Sequence, residues 1–180
     1  MIVFKNIYEI PEDLIAEAYD YALRSRSYTS NRHDFHAGGL NNKQQKMFEG
    51  KLGEKIFKLF LLENRIRFVE DETGYENADL FDFKLPNDFL IDVKTRTKDY
   101  HTRTLEMVEQ FEAKPKDIYV SVRLDRDLRS GMIIGWFSKS DLIRINRIEN
   151  NGYLDNYVLY DNELRNMQQL YDLCLQEYRF

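Results

Sequence analysis

The sequence predicts a single α/β domain built around a mixed β-sheet, and three observations carry that expectation. A chain of 180 residues favours one domain with its own core. Its 43% hydrophobic content, with twelve Tyr and twelve Phe, supplies a packed interior and excludes a disordered chain. Hydrophobic spacing switches between helical and strand periods in the order helix, strands, helix, strands, helix, the signature of helices laid on a sheet.

Pro11 suits the first position of a helix, and Leu14, Ile15, Ala18, Tyr19 and Ala22 follow at helical spacing to an end near Ser27. Tyr28 to Asn42 holds Ser, Asn, Gly38 and Gly39 with little periodicity and reads as a loop. A second helix is expected from about Lys43 to Asn64, with Phe48, Leu52, Ile56 and Leu59 or Phe60 along one side. Ile66 to Val69 is a short apolar strand. Ala78 to Lys84 and Phe89 to Arg96 read as two strands joined by Leu85-Pro86-Asn87-Asp88, a turn by composition. Thr102 to Ala113 reads as a helix closed by Pro115. Asp117 to Leu124 and Met132 to Phe137 read as strands, parted by a charged turn ending at Gly131. Ser138 and Asp141 form a capping pattern ahead of a short helix with Leu142 and Ile143. Tyr157 to Tyr160 reads as an edge strand, and Asp161 as the cap of a last helix with Leu164, Met167, Gln168 and Tyr171. No repeat, low-complexity tract or linker divides residues 1–180.

A single cysteine, Cys174, forms neither an internal disulfide nor a cysteine-rich zinc cluster, which points to a reducing, cytoplasmic setting. Met1 to Glu9 carries Lys5 and Glu9 and no long apolar run, so neither a signal peptide nor a membrane span of about 20 apolar residues is expected. The net charge of -5 speaks against a nucleic-acid partner, but it hides a pattern. Tyr21 to Phe60 holds eight Lys/Arg against three acids, Leu61 to Val93 three against nine, and Lys94 to Arg103 four against one. An acidic centre between basic flanks suits a protein that holds cations and grips phosphates beside them.

The acidic centre contains the sharpest chemical signal. Asn77-Ala78-Asp79 precedes the turn, and Leu90-Ile91-Asp92-Val93-Lys94 follows it. Side chains two apart in a strand share a face, so Asp92 and Lys94 project together while Ile91 and Val93 turn inward. A hairpin can set the Asp79 carboxylate beside Asp92; Asp82, in the same strand but flanked by Phe81 and Phe83, is the rival for that position. Two converging carboxylates repel unless a proton or a cation lies between them, and Mg²⁺ is the natural oxygen-binding ion, with Mn²⁺ as its substitute. Such an ion polarises a phosphate and lowers the pKa of a bound water. The Lys94 ammonium could orient that water, stabilise the phosphorane or act as a base, and the sequence leaves these roles open.

These residues resemble the PD-(D/E)xK nuclease superfamily. Asp79 matches its first half-motif, with Ala78 in place of the proline, and Asp92-Val93-Lys94 matches the second. Glu54, within Gly50-Lys51-Leu52-Gly53-Glu54, stands where the superfamily often places a helical glutamate. The resemblance covers the element order over about residues 43–137. It implies a restriction-endonuclease-like, three-layer core with helices flanking the sheet. It also implies metal binding by Asp79, Asp92, the Val93 carbonyl and Glu54, and hydrolysis of DNA phosphodiesters. Gly50 and Gly53 lie one turn apart in a helix that each of them weakens by about 1 kcal/mol. Close approach of that helix to the sheet is the use that would bring Glu54 to the carboxylates.

Arg96 and Lys98 continue the face of Asp92 and Lys94 as a basic track, and with Arg32 and Lys43 they are the candidate nucleic-acid contacts. His33, Asp34 and His36 lie in a Gly/Asn-rich loop without further ligands and read as loop residues. Trp136 lies in an apolar strand and reads as core. A homodimer would allow both DNA strands to be cut. The competing expectations are a nuclease-like module that binds DNA without turnover and a protein-interaction domain.

Overall fold

The computed structural model of the chain describes residues 4–24, 40–71, 80–86, 88–150 and 152–175. Two helices open it. The first, α1 (Glu12–Arg24), buries Ala18 and Ala22 against α2 (Leu40–Glu63), small side chains that let the two axes approach. Helix α2 then lays Leu52, Ile56, Phe57, Phe60 and Leu61 on the central sheet, all fully buried. Each such side chain contributes on the order of 2 kcal/mol relative to exposure.

The central sheet has six strands in the order β1-β7-β6-β4-β3-β2: β1 (Ile7–Glu9), β7 (Ser130–Ser138), β6 (Ile118–Leu124), β4 (Leu90–Arg96), β3 (Phe83–Lys84) and β2 (Val69–Glu70). All neighbours are antiparallel except β4 and β6. That parallel pair needs a crossover, supplied by β5 (Arg103–Met107) and α3 (Val108–Ala113). A second sheet, in the order β5-β9-β8, combines β5 with β9 (Asp155–Tyr160) and β8 (Ile148–Asn150). Helix α4 (Lys139–Ile145) follows β7, and α5 (Met167–Leu175) closes the described chain.

The two faces of the central sheet are packed differently. Ile91, Val93, Val120, Val122, Ile133 and Trp136 share a core with α2 and with Met167, Leu170 and Cys174 of α5. Tyr119 and Phe137 stack at 5.1 Å on the opposite face, in a smaller core with Phe111 of α3, Leu142 of α4 and Leu159 of β9. The fold is therefore mixed α/β. One side of the sheet carries helices, and the other carries two short helices together with a sheet, not helices alone.

Most expected elements are present, with corrections where local periodicity misled. Thr102–Ala113 is not one helix: pairing with β9 draws Arg103–Met107 into a strand, and the helix starts at Val108. Tyr157–Tyr160 belongs to the middle strand of its sheet, because the three residues of β8 cover its other edge. Gly131 lies inside β7, not at the end of a turn. The capping box of Ser138 and Asp141 forms as expected. Asp161 instead begins a 3-10 turn, Asp161–Glu163, and α5 starts at Met167. Among the described residues no helix is long and apolar enough to cross a membrane.

Candidate functional site

Strands β3 and β4 part company early, and the candidate site lies in that fork. Their ladder ends at the pair Phe83 and Ile91. Asp82 still donates its N–H to the Ile91 carbonyl at 2.9 Å, but the next acceptor is a side chain: the Val93 N–H donates to Asp82 Oδ2 at 2.6 Å. A carboxylate thus takes the amide that a longer β3 would have paired, which satisfies an otherwise orphaned donor. N–H and C=O of one extended residue point the same way, so the Val93 carbonyl faces the fork as well.

Strand alternation places Asp92, Lys94 and Arg96 on one face of β4 and Ile91, Val93 and Thr95 on the face toward α2, as the spacing predicts. Lys94 Nζ lies 2.8 Å from Asp92 Oδ2 and 2.5 Å from Glu106 Oε2 of β5. Burial opposes the Lys94 ammonium, yet Asp92 and Glu106 together outweigh it and hold its pKa above the ordinary lysine value. Lys94 is a cation here, and the fold as it stands does not prepare it as a base. Burial, and then the negative charge of Asp92, push Glu106 upward against the opposing pull of Lys94.

Helix α2 delivers the other half of the cluster. A Cβ on Gly53 would fall 1.9 Å from Thr95 Oγ1, so only glycine admits this closeness of helix and β4; Gly50 has open space around it. One residue on, Glu54 accepts from Lys51 Nζ at 2.7 Å, and the Lys51 ammonium also lies over the Tyr21 ring at 4.3 Å. Glu54 stands near enough to raise the Asp82 pKa. Burial is the first cause of that rise, repulsion by Glu54 and Asp92 follows, and Lys51 and the Val93 N–H oppose it. Lys94 thus stands between Asp92 and Glu106 on one side of β4, and the Lys51–Glu54 pair lies within charge range of Asp82.

Of the expected site residues, Asp92 and Lys94 form an ion pair, and Glu54 and Asp92 both lie within charge range of Asp82, which takes the Val93 N–H; Asp79 lies outside the described residues. Glu106 and Lys51 were not anticipated. Alternation of buried Thr104 and Glu106 with exposed Leu105 was the available signal for Glu106, but it is inverted and was masked by helical spacing. The basic track is largely spent on the fold. Arg96 has 8% of its side chain exposed and donates to Asp161 Oδ2 at 2.6 Å and to the Arg103 carbonyl at 3.1 Å. Lys55 and Lys58 pair with Glu17 and Glu70. Lys98 is exposed and Lys43 half-buried on α2, while Arg32 and the His33, Asp34 and His36 loop lie outside the described residues.

No protein-family model matches this chain, and no curated protein matches it in sequence. The chemistry of the fork rests on its own residues. The carboxylates of Asp82 and Asp92 outnumber the cations that reach them directly, and the excess negative charge suits a divalent cation. Among the described residues no three His, Cys, Asp or Glu side chains stand close enough to hold an ion as they are. Asp82, Asp92 and the Val93 carbonyl offer two charged oxygens and a neutral one, a set for which Mg²⁺ needs water to complete its shell. A separate cleft of about 620 Å³, lined by Ser138, Lys139, Arg165 and Asp172, lies at the other end of the sheet. Trp136 on its wall is 3% exposed beneath the Arg165 guanidinium, a core residue as expected.

Proposed function

We propose that the protein is a Mg²⁺-dependent phosphodiester hydrolase acting on DNA, of the PD-(D/E)xK, restriction-endonuclease-like type. One observation carries the reading: at the point where β3 and β4 diverge, Asp82 takes the Val93 N–H within charge range of Asp92 and Glu54, and Asp92 pairs with the Lys94 ammonium. The run from α2 through the antiparallel β2, β3 and β4 to the parallel β6 supports it, since this is the element order the resemblance implies. Asp82 and Asp92 would hold the ion with the Val93 carbonyl, and Glu54 would join through water. When bound, the ion supplies charge to a phosphate oxygen and acidity to a water molecule. Lys94, kept cationic by two carboxylates, would stabilise charge developing on the phosphate. Lys51 holds Glu54 in place and moderates the charge on Asp82.

The double engagement of Lys94 also suits a second reading, a module that binds DNA without cutting it. One assay separates the two. Purified protein is incubated with linear, nicked and branched DNA in Mg²⁺ or Mn²⁺ and compared with Asp92→Ala. Cleavage by the wild type that the variant loses supports the hydrolase. Retention of DNA by both proteins without any cleavage favours the binding module.

A further inference from the structure

The second charge partner of Lys94 does not come from its own sheet. We infer that Glu106 is a positioning residue for the Lys94 ammonium, making the three-stranded sheet a working wall of the site. The inference rests on the reading of the fork as a phosphodiester-cleaving site.

Three observations support it. Strand β5 is inside out: Thr104 and Glu106 are buried at 5% and 3% exposure, while Leu105 between them is 37% exposed. A strand that only covered the central sheet would turn Leu105 inward, because burying a carboxylate is costly unless a partner repays it. The partner is Lys94, at 2.5 Å. The seam between the sheets is polar beyond this pair: Thr104 Oγ1 donates to Ser121 Oγ at 2.8 Å, and Arg96 reaches Asp161 and the Arg103 carbonyl. Ser121 and Arg96 thus tie β5 to β6 and β4 at Thr104 and Arg103, which helps to place Glu106. Finally, a lysine carries its charge on a flexible four-carbon stem, which Asp92 alone leaves free to swing. Two carboxylates on the ammonium set its position, and its three protons leave capacity for a substrate oxygen. The Lys94 side chain keeps 22% of its surface exposed.

The test uses the whole chain, with Glu106→Gln, Glu106→Asp and each of these combined with Lys94→Ala. Cleavage kinetics on double-stranded DNA in Mg²⁺, thermal melting and the ¹H–¹⁵N signal of the Lys94 ammonium are recorded for every protein. Glu106→Gln is expected to lower kcat at least about tenfold with KM changed less than about twofold, because a displaced catalytic group loses rate rather than binding. Glu106→Asp should recover part of the loss. In the Lys94→Ala background Glu106→Gln should cost nothing further, since the residue acts through Lys94. Full kcat in Glu106→Gln, or an undiminished loss in the Lys94→Ala background, overturns the inference. Absence of cleavage by the wild type removes the proposed function instead. The ammonium signal then decides the positioning role by itself: broadening or shifting in Glu106→Gln upholds it, and an unchanged signal rejects it.

Discussion

Two glycines of α2 differ in one respect that fixes opposite outcomes for the same substitution. Alanine at position 53 would put its Cβ 1.9 Å from Thr95 Oγ1, 2.9 Å from Cγ2 and 3.0 Å from Cβ. Three atoms of one stiff, β-branched residue are in the way, so rotation about χ1 cannot clear them and the helix or β4 must move. Overpacking of this kind costs about 3 kcal/mol at the upper end of its range, against a helix-propensity gain of about 1 kcal/mol. The net loss is about 2 kcal/mol, and for a chain of this size Tm should fall by about 4–8 °C. Alanine at position 50 meets nothing within 4 Å. There only the propensity gain remains, and Tm should rise by about 2–4 °C. Thr95→Ala should restore part of the loss in Gly53→Ala by removing Oγ1 and Cγ2. Calorimetry on the four proteins provides the assay. A Gly53→Ala protein as stable as Gly50→Ala would refute the argument that helix proximity requires glycine. It would also remove the account of how Glu54 reaches the fork.

Two carboxylates should respond to pH with opposite sign. The Asp82 pKa is raised in the fold, by burial and then by Glu54 and Asp92, so its stabilising contribution exists below the unfolded value of 3.8 and is lost as pH rises through the folded one. Asp82→Asn, which keeps an acceptor for the Val93 N–H, is expected to raise Tm at pH 8 and to give no gain near pH 3.8, while abolishing stabilisation by added Mn²⁺. A Tm at pH 8 below that of the wild type would contradict this. For Asp141, burial opposes the charge, but the Arg165 fork at 2.9 and 3.0 Å and the Ser138 donors outweigh it and set the folded pKa below 3.8. Its contribution is present above 3.8 and lost as pH falls through the folded value, so Asp141→Asn should lower Tm at pH 7 and converge on the wild type in acid. Lys98→Ala should weaken DNA binding and lessen its salt dependence by about one unit of slope, whereas Arg96→Ala, by stranding the Asp161 carboxylate, should show chiefly as a lower Tm. Fluorescence anisotropy across a salt series and melting curves distinguish the two.

Much of this site was legible because it depends on short-range periodicity. Asp92 and Lys94 needed only the two-residue repeat of an apolar strand, and α2 needed only its apolar stripe and the glycine spacing. The sequence favours Asp79 over its rival Asp82 on the expectation that β3 begins near Ala78, and Asp79 lies outside the described residues. In the described structure β3 begins at Phe83, so Asp82 itself occupies the entrance. Glu106 was hidden because Leu105, Val108 and Glu109 fall at helical intervals. Only pairing with β9, a partner distant in sequence, turns the first half of that run into a strand. Arg96 was placed on the correct face, but its burial depended on Asp161, which no local rule connects to it.

The dependence of β5 on β9 has a temporal side. Among the described residues β5 has β9 as its sole neighbour in its sheet, and the pairing runs from Arg103 with Tyr160 to Met107 with Asn156. During synthesis β4 and its antiparallel partner β3 emerge before β9, so residues 103–107 at first lack the strand that holds them extended. The ladder that sets Glu106 beside Lys94 is complete only with the residues of β9 in place. A chain truncated before β9 would carry Asp82, Asp92 and Lys94 without the strand that holds β5 extended, and so without the Glu106 side of the Lys94 cage.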